Sequence, residues 1–219
     1  MCTNYVPPSH DELRERFRVD RHLTEIPYKA ETWPDYNAPV IVHDNGARAA
    51  IVANYGFMPK RKIPPGVKKY STMNSRSETV GTLRSFSSAW KAHQFCLVPM
   101  RAFYEPCYET GSAVRWRIGM ADDSDFAVAG MWRKWDEENG EVSYSFTQLT
   151  VNADDHPLMR RFHKPGDEKR SLVIVPPEEY DAWMSCDNGE VARSFLRLFP
   201  TEKMTSRAEP VPPRTKKLD

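Results

Sequence analysis

A cysteine stands at position 2, directly after the initiator methionine. It is small enough to permit removal of Met1, which would leave a 1,2-aminothiol. The amine of such a residue has a reference pKa of about 7.7–8.0 and the thiol about 8.5, so both nucleophiles are accessible near neutrality. The amine can condense with an aldehyde to a Schiff base, and the neighbouring thiol can then close a five-membered thiazolidine. That closure is intramolecular and gains the effective molarity of a positioned reactant. The plainer reading is a second residue with no chemical role, since a thiol's reactivity depends on its surroundings.

Three further groups could carry chemistry. The run Asn74-Ser75-Arg76-Ser77-Glu78-Thr79 follows a basic loop and is read as the opening of a helix over Ser77–His93. There Arg76 could hold a phosphate, helped by the helix N-terminus, and Asn74 could bond a substrate oxygen; polar capping of a helix is the alternative. In Ala102-Phe103-Tyr104-Glu105-Pro106 a carboxylate sits beside aromatics, next to an apolar strand. Burial there would raise its pKa and suit it to acid–base work, against the alternative of a solvent-facing strand glutamate. His163, in Arg161-Phe162-His163-Lys164-Pro165, could move protons near neutral pH, but spacing does not choose between it and His156.

The elements that must position these residues are legible in part. Ser9-His10-Asp11-Glu12 reads as a capping box, with a helix running to about Phe17. Val40–His43 and Ala47–Phe57 read as strands around the turn Asp44-Asn45-Gly46, and Met58–Tyr70 as a loop. Further strands are expected at Phe95–Pro99, Ala113–Gly119, Phe126–Trp132, Val142–Val151 and Ser171–Val175. Helices are expected from Pro176 through Trp183 and near Val191–Phe199. Strands outnumber helices, there is no internal repeat, and turn signals separate the strands. This predicts one α+β domain over residues 1–200, with a curved antiparallel sheet or open β-barrel core and peripheral helices. The proline-rich, polar stretch 201–219 is expected to be a flexible tail.

With 219 residues, 40% of them apolar, the chain can bury a substantial core. It has no apolar run of the roughly 20 residues a membrane helix needs, and no secretory signal pattern, so no membrane role is expected. The four cysteines include no C-x-x-C pair, so neither a zinc site nor any other metal or cofactor is expected. Cys96, in an apolar run, reads as a buried small hydrophobe. The net charge of +1 conceals an asymmetry: residues 45–77 hold no acidic residue but do hold Arg48, Lys60, Arg61, Lys62, Lys68, Lys69 and Arg76. That is either a face for a phosphate backbone or a solvated loop.

The ordered set of motifs resembles the SRAP family (SOS response-associated peptidase, or abasic site processing proteins). The resemblance is carried by Met1-Cys2, Tyr36-Asn37-Ala38-Pro39, Tyr55-Gly56-Phe57-Met58-Pro59, Asn74 to Thr79, Phe103-Tyr104-Glu105-Pro106 and His163 ahead of Arg170-Ser171, across residues 1 to about 185. It implies an intracellular protein, cytoplasmic or nucleoid-associated in a bacterium, acting as a monomer on single-stranded DNA that carries abasic sites. Cys2, freed of Met1 by self-cleavage or otherwise, would form a thiazolidine with the ring-opened sugar. Asn74 would orient Cys2 or the sugar, Glu105 would act as acid–base, His163 would serve the sugar hydroxyl, and Arg76 would hold a phosphate. The chain departs from the pattern at Thr3 and Asn4, which stand for Gly and a DNA-contacting Arg. Lysines and arginines replace the usual tryptophans before the asparagine motif, and Lys164–Lys169 are inserted before Arg170, read as the family's DNA-contacting arginine. The implied DNA contacts are therefore Asn4, Lys60, Arg61, Lys62, Lys68, Lys69, Arg76 and Arg170. Two other readings stay open: an N-terminal-cysteine amidase or peptidase, and a non-enzymatic single-stranded DNA-binding module.

Overall fold

The computed structural model describes residues 2–24, 26–68 and 70–211. Its first long pairing turns on Asn45 and Gly46, at φ 50° and 83°. Two successive left-handed residues make the tight turn that matches the twist of an antiparallel hairpin. The strands in chain order are β1 (Asn4–Val6), β2 (Arg21–His22), β3 (Asn37–Asp44), β4 (Ala47–Tyr55), β5 (Asn74–Arg76), β6 (Phe95–Met100) and β7 (Ala102–Cys107). They continue with β8 (Val114–Met120), β9 (Phe126–Asp136), β10 (Val142–Asn152), β11 (Arg170–Leu172), β12 (Ile174–Val175) and β13 (Met204–Ala208).

Five of them close on themselves. β4 pairs with β3, β3 with β6, β6 with β9 and β9 with β10, all antiparallel, and β10 returns to β4 in parallel. The α+β class and barrel core are as expected. The parallel seam, which rests on Ser145↔Asn54 and Phe146↔Tyr55, closes the barrel. Gly130 of β9 permits the close approach of its neighbours: a Cβ there would fall 2.8 Å from the Thr147 carbonyl and 3.0 Å from Cys96 Sγ. A second sheet, ordered β1-β7-β8-β13, packs beside the barrel.

The barrel strands are buried on both faces, as the unbroken Val40-Ile41-Val42 shows. One apolar cluster, with Tyr5, Tyr55, Phe103, Phe146 and Phe162, joins barrel to second sheet. The other seats the helices, with Leu13, Phe17, Trp90, Tyr180 and Trp183 against Leu97, Ala129 and Leu149. The capping box forms as read: the Ser9 hydroxyl accepts from Glu12 N at 3.3 Å and the Glu12 carboxylate from Ser9 N at 2.8 Å, opening α1 (His10–Phe17). Cys96 is fully buried, and its carbonyl accepts the Trp183 indole at 2.8 Å.

Three local expectations differ from the structure. The helix over Ser77–His93 shrinks to α2 (Ser87–Lys91), preceded by turns; Gly81 and a run of Ser and Thr make a poor helix interior. The other helices are also short, α3 (Tyr180–Met184) and α4 (Gly189–Ser194). The stretch after residue 200, expected to be loose, supplies β13, whose five residues pair with β8 from Met204↔Met120 to Ala208↔Trp116. Residues 212–219 of that stretch lie outside the described residues, as does Lys69.

Candidate functional site

The site grows from two edge pairings. β1 runs antiparallel to β7 through Asn4↔Tyr104, which brings the start of the chain alongside Glu105. β5 runs parallel to β10 through Asn74↔Gln148, so Asn74 belongs to a strand rather than to a helix start. A three-residue polar strand carries no apolar alternation, and tertiary pairing decides its conformation.

Cys2 is buried at 1% exposure, and its Sγ–H donates to the Asn4 carbonyl at 3.4 Å. Burial, with the Glu105 charge adding to it, pushes the thiol up to about 12, so it stays protonated at neutral pH. The Cys2 carbonyl accepts two hydrogen bonds, from Asn74 Nδ2 at 2.7 Å and from the Tyr55 hydroxyl at 2.9 Å. Tyr55 is held in turn: its ring stacks on Phe146 at 5.2 Å, Tyr5 meets it edge-on at 5.5 Å, and the Gln148 amide lies 3.0 Å from its hydroxyl. Tyr55 was quoted in the sequence only as part of a motif; its role at Cys2 depends on the parallel seam and could not be read from local pattern.

Glu105 is 3% exposed, and burial raises its carboxyl to about 7. Its Oε2 lies 3.3 Å from His163 Nδ1. His163 Nε2 faces the Arg170 carbonyl at 3.1 Å and donates to it, because a carbonyl can only accept. Burial lowers the imidazole to about 4, so it is neutral at pH 7 with Nδ1 as an acceptor. Burial is the main cause of both shifts, and the positive amino terminus of the chain lowers both groups. His163 takes φ 66°, and its N–H donates to the Pro106 carbonyl at 2.9 Å, which holds the loop against β7.

His156, the alternative histidine, is committed elsewhere. Its Nδ1 accepts from Leu158 N at 3.2 Å and Met159 N at 3.0 Å, and its Nε2 donates to the Phe199 carbonyl at 2.8 Å. It caps a turn, and His163 is the one beside Glu105.

The expected phosphate contacts divide. Arg76 is half exposed, but its Nη1 is 2.6 Å from Glu168 Oε2. Asn4 is buried at 2%: its Oδ1 accepts from Arg115 at 2.7 Å and its Nδ2 donates to the Thr32 carbonyl at 3.0 Å, so it does not face a ligand phosphate. Arg170 is also 2% exposed, bonded to Glu78, Glu168 and the Thr150 carbonyl, and is an interior ion pair rather than an outer contact. Lys60 pairs with Asp35 at 2.6 Å, Arg61 with Glu137 at 3.0 Å, and Lys62 with the same Glu137 at 2.6 Å. The basic loop is therefore largely neutralised by carboxylates distant in sequence. Lys68 is exposed.

Among the described residues no group of His, Cys, Asp and Glu could hold a metal ion, and no helix is long and apolar enough to cross a membrane. The arrangement can do nucleophilic chemistry at residue 2 beside a general acid–base pair.

A family model described as SOS response associated peptidase (SRAP) matches residues 1–217. The abasic site processing protein YoqW of Bacillus subtilis is 26% identical over 214 residues, covering 93% of this chain and 90% of that protein. YobE of the same organism, also named an abasic site processing protein, is 26% identical over 86% of this chain and 84% of its own length. A crystal structure of a protein from Bordetella bronchiseptica superposes with a TM-score of 0.84 at 33% identity, covering 96% of this chain and all of that one.

Proposed function

Because the chain belongs to the SRAP family, we propose that it processes abasic sites in single-stranded DNA by joining Cys2 covalently to the ring-opened sugar. The observation that supports this most is the convergence at one point of residues far apart in the chain. Asn74 holds the Cys2 carbonyl at 2.7 Å, while Glu105 and His163 form a 3.3 Å pair close enough for the Glu105 charge to act on the Cys2 thiol. Relatives named abasic site processing proteins supply the substrate class.

The chemistry follows from the protonation states. Hydrolysis of the Met1–Cys2 bond, by self-cleavage in this reading, consumes one water and frees the α-amine. The thiol, pushed up to about 12 by burial, is the poorer first nucleophile. The amine attacks the C1′ aldehyde, and Glu105, poised near 7, donates the proton with which the hydroxyl leaves as water. The thiol then adds across the C=N bond, its proton going by way of Glu105 to the ring nitrogen. One water is lost overall, and the product is a thiazolidine. His163 Nδ1, 3.3 Å from Glu105 Oε2, flanks the carboxyl and helps to hold it beside Cys2.

Arg76 is the contact for a flanking phosphate, with Glu168 displaced when DNA arrives. Cys2→Ser tests the reading, because serine keeps an α-amine but forms no stable thiazolidine. The expected result is retained binding of a single-stranded oligonucleotide with loss of the denaturation-resistant adduct. Turnover of peptide substrates with no response to DNA would instead favour the amidase reading, and an unchanged adduct in the variant would remove Cys2 from the chemistry.

A further inference from the structure

Arg170 does two things at once. Its backbone carbonyl accepts the His163 Nε2–H at 3.1 Å. Its buried guanidinium is gripped by both oxygens of Glu78, Nη1 to Oε1 and Nη2 to Oε2, each at 2.9 Å. Glu78 lies four residues beyond Asn74, on the segment that leaves β5. One ion pair thus joins the segment that holds Cys2 to the loop that carries His163.

We infer that Glu78 is a positioning residue for the acid–base pair: by clamping Arg170 it fixes the Arg170 carbonyl, which holds His163 as the Nε2–H tautomer with Nδ1 turned to Glu105. The inference rests on the acid–base reading of Glu105 and His163. A bidentate carboxylate is the strongest and most directional partner an arginine can have, and a buried guanidinium deprived of it must move or find another. The other carboxylate at hand, Glu168, bonds Arg170 through one oxygen at 2.7 Å and Arg76 through the other at 2.6 Å, so it cannot reproduce the two-pronged grip. The Nη2 bond to the Thr150 carbonyl at 2.7 Å fixes one edge of the guanidinium and supplies no charge.

The tautomer decides what Glu105 can do. An imidazole protonated on Nε2 presents a lone pair to Glu105 and favours the acid form of the carboxyl. An imidazole protonated on Nδ1 would donate to Glu105 and favour the carboxylate. The other charged groups around the pair are the amino terminus of the chain, which lowers both groups, and Lys169, whose Nζ lies 3.3 Å from the His163 carbonyl, with Asp167, Arg170 and the Cys2 thiol. The Arg170 carbonyl can only accept, so its contact with Nε2 at 3.1 Å places the ring proton there.

The test compares wild type with Glu78→Gln and Glu78→Asp in the full chain. Imidazole 15N shifts of His163 report the tautomer without any substrate. Single-turnover capture of an oligonucleotide with one abasic site, followed against pH, reports the consequence. The wild type should show the Nε2–H form alone. Glu78→Gln should show mixed tautomers, a capture rate lowered about tenfold or more by misplacement of the pair, and an alkaline limb moved to lower pH. Glu78→Asp, which keeps the charge, should recover most of the rate and the limb. An unaltered tautomer and pH profile in Glu78→Gln, or a loss in both variants that follows only the unfolded fraction, would overturn the inference. Failure of the wild type itself to form an adduct would count against the proposed function, and the tautomer comparison would still decide the role of Glu78.

Discussion

Glu105 Oε2 and His163 Nδ1 lie 3.3 Å apart, and the opposite ring nitrogen is committed to the Arg170 carbonyl. That commitment leaves Nδ1 with its lone pair on the Glu105 side, and burial raises the carboxyl to about 7 while it lowers the imidazole to about 4. A buried acid poised near neutrality follows, without any neighbouring anion being needed to hold it protonated.

Capture should therefore depend on pH as a bell. The free amine is lost as pH falls below about 8, its reference range, and the acid form of Glu105 is lost as pH rises through about 7. The rate should peak between these values. Glu105→Gln should be slower at the peak and lack the alkaline limb, while its affinity for DNA is retained. Single-turnover rates from pH 5 to 9 check this, and an alkaline limb persisting in the variant would exclude Glu105 as its source.

The same carboxyl costs stability. Its folded pKa, about 7, lies above the ordinary 4.5, so the native state binds the extra proton and the unfolded state does not. Stability is then highest below 4.5 and falls as pH rises toward 7, by roughly 3 kcal/mol in all. Glu105→Gln should melt higher than wild type at pH 8 and lose that advantage at pH 4. Melting curves at the two pH values measure it.

The Cys2 carbonyl has two donors, and each should matter less alone than both together. Tyr55→Phe and Asn74→Ala each leave one bond in place, whereas the double variant leaves a buried carbonyl with neither, a loss of about 1–3 kcal/mol. Capture rates in a double-mutant cycle should show coupling rather than additivity. Strict additivity would mean that the two donors do not act on the same group.

Glu168 stands where a phosphate oxygen would meet Arg76. Glu168→Ala should strengthen binding of single-stranded DNA at low salt and steepen the logarithmic salt dependence by up to about 0.7. Arg76→Ala should weaken binding and flatten the dependence by a similar amount. Substitutions at Lys60, Arg61 and Lys62, already paired with Asp35 and Glu137, should change the slope less than Arg76→Ala does.

Much of this was legible in the sequence, in an uneven way. Alternation marked β8 and β10, the Asn45-Gly46 turn marked β3 and β4, and the Ser9 capping box formed as written. Glu105 follows two aromatics, and of its two readings, a buried carboxyl or a solvent-facing strand glutamate, the structure has it buried. Arg170 was read as the family's DNA-contacting arginine; its partner Glu78 is 92 residues away, and nothing local marks a buried ion pair. The basic loop misled for the same reason, since Glu137 lies 76 residues from Arg61. The Asn74 strand and the closing β4–β10 seam are short pairings without periodicity, and β13 arises in a polar stretch whose order comes from pairing with β8.

The central claim is tested most directly by the intact mass of the protein before and after mixing with a single-stranded oligonucleotide carrying one abasic site. The account predicts a chain without Met1 that gains the oligonucleotide mass less one water, survives denaturation, and is absent in Cys2→Ser. A mature chain beginning at Cys2 that gains no mass under these conditions would contradict it.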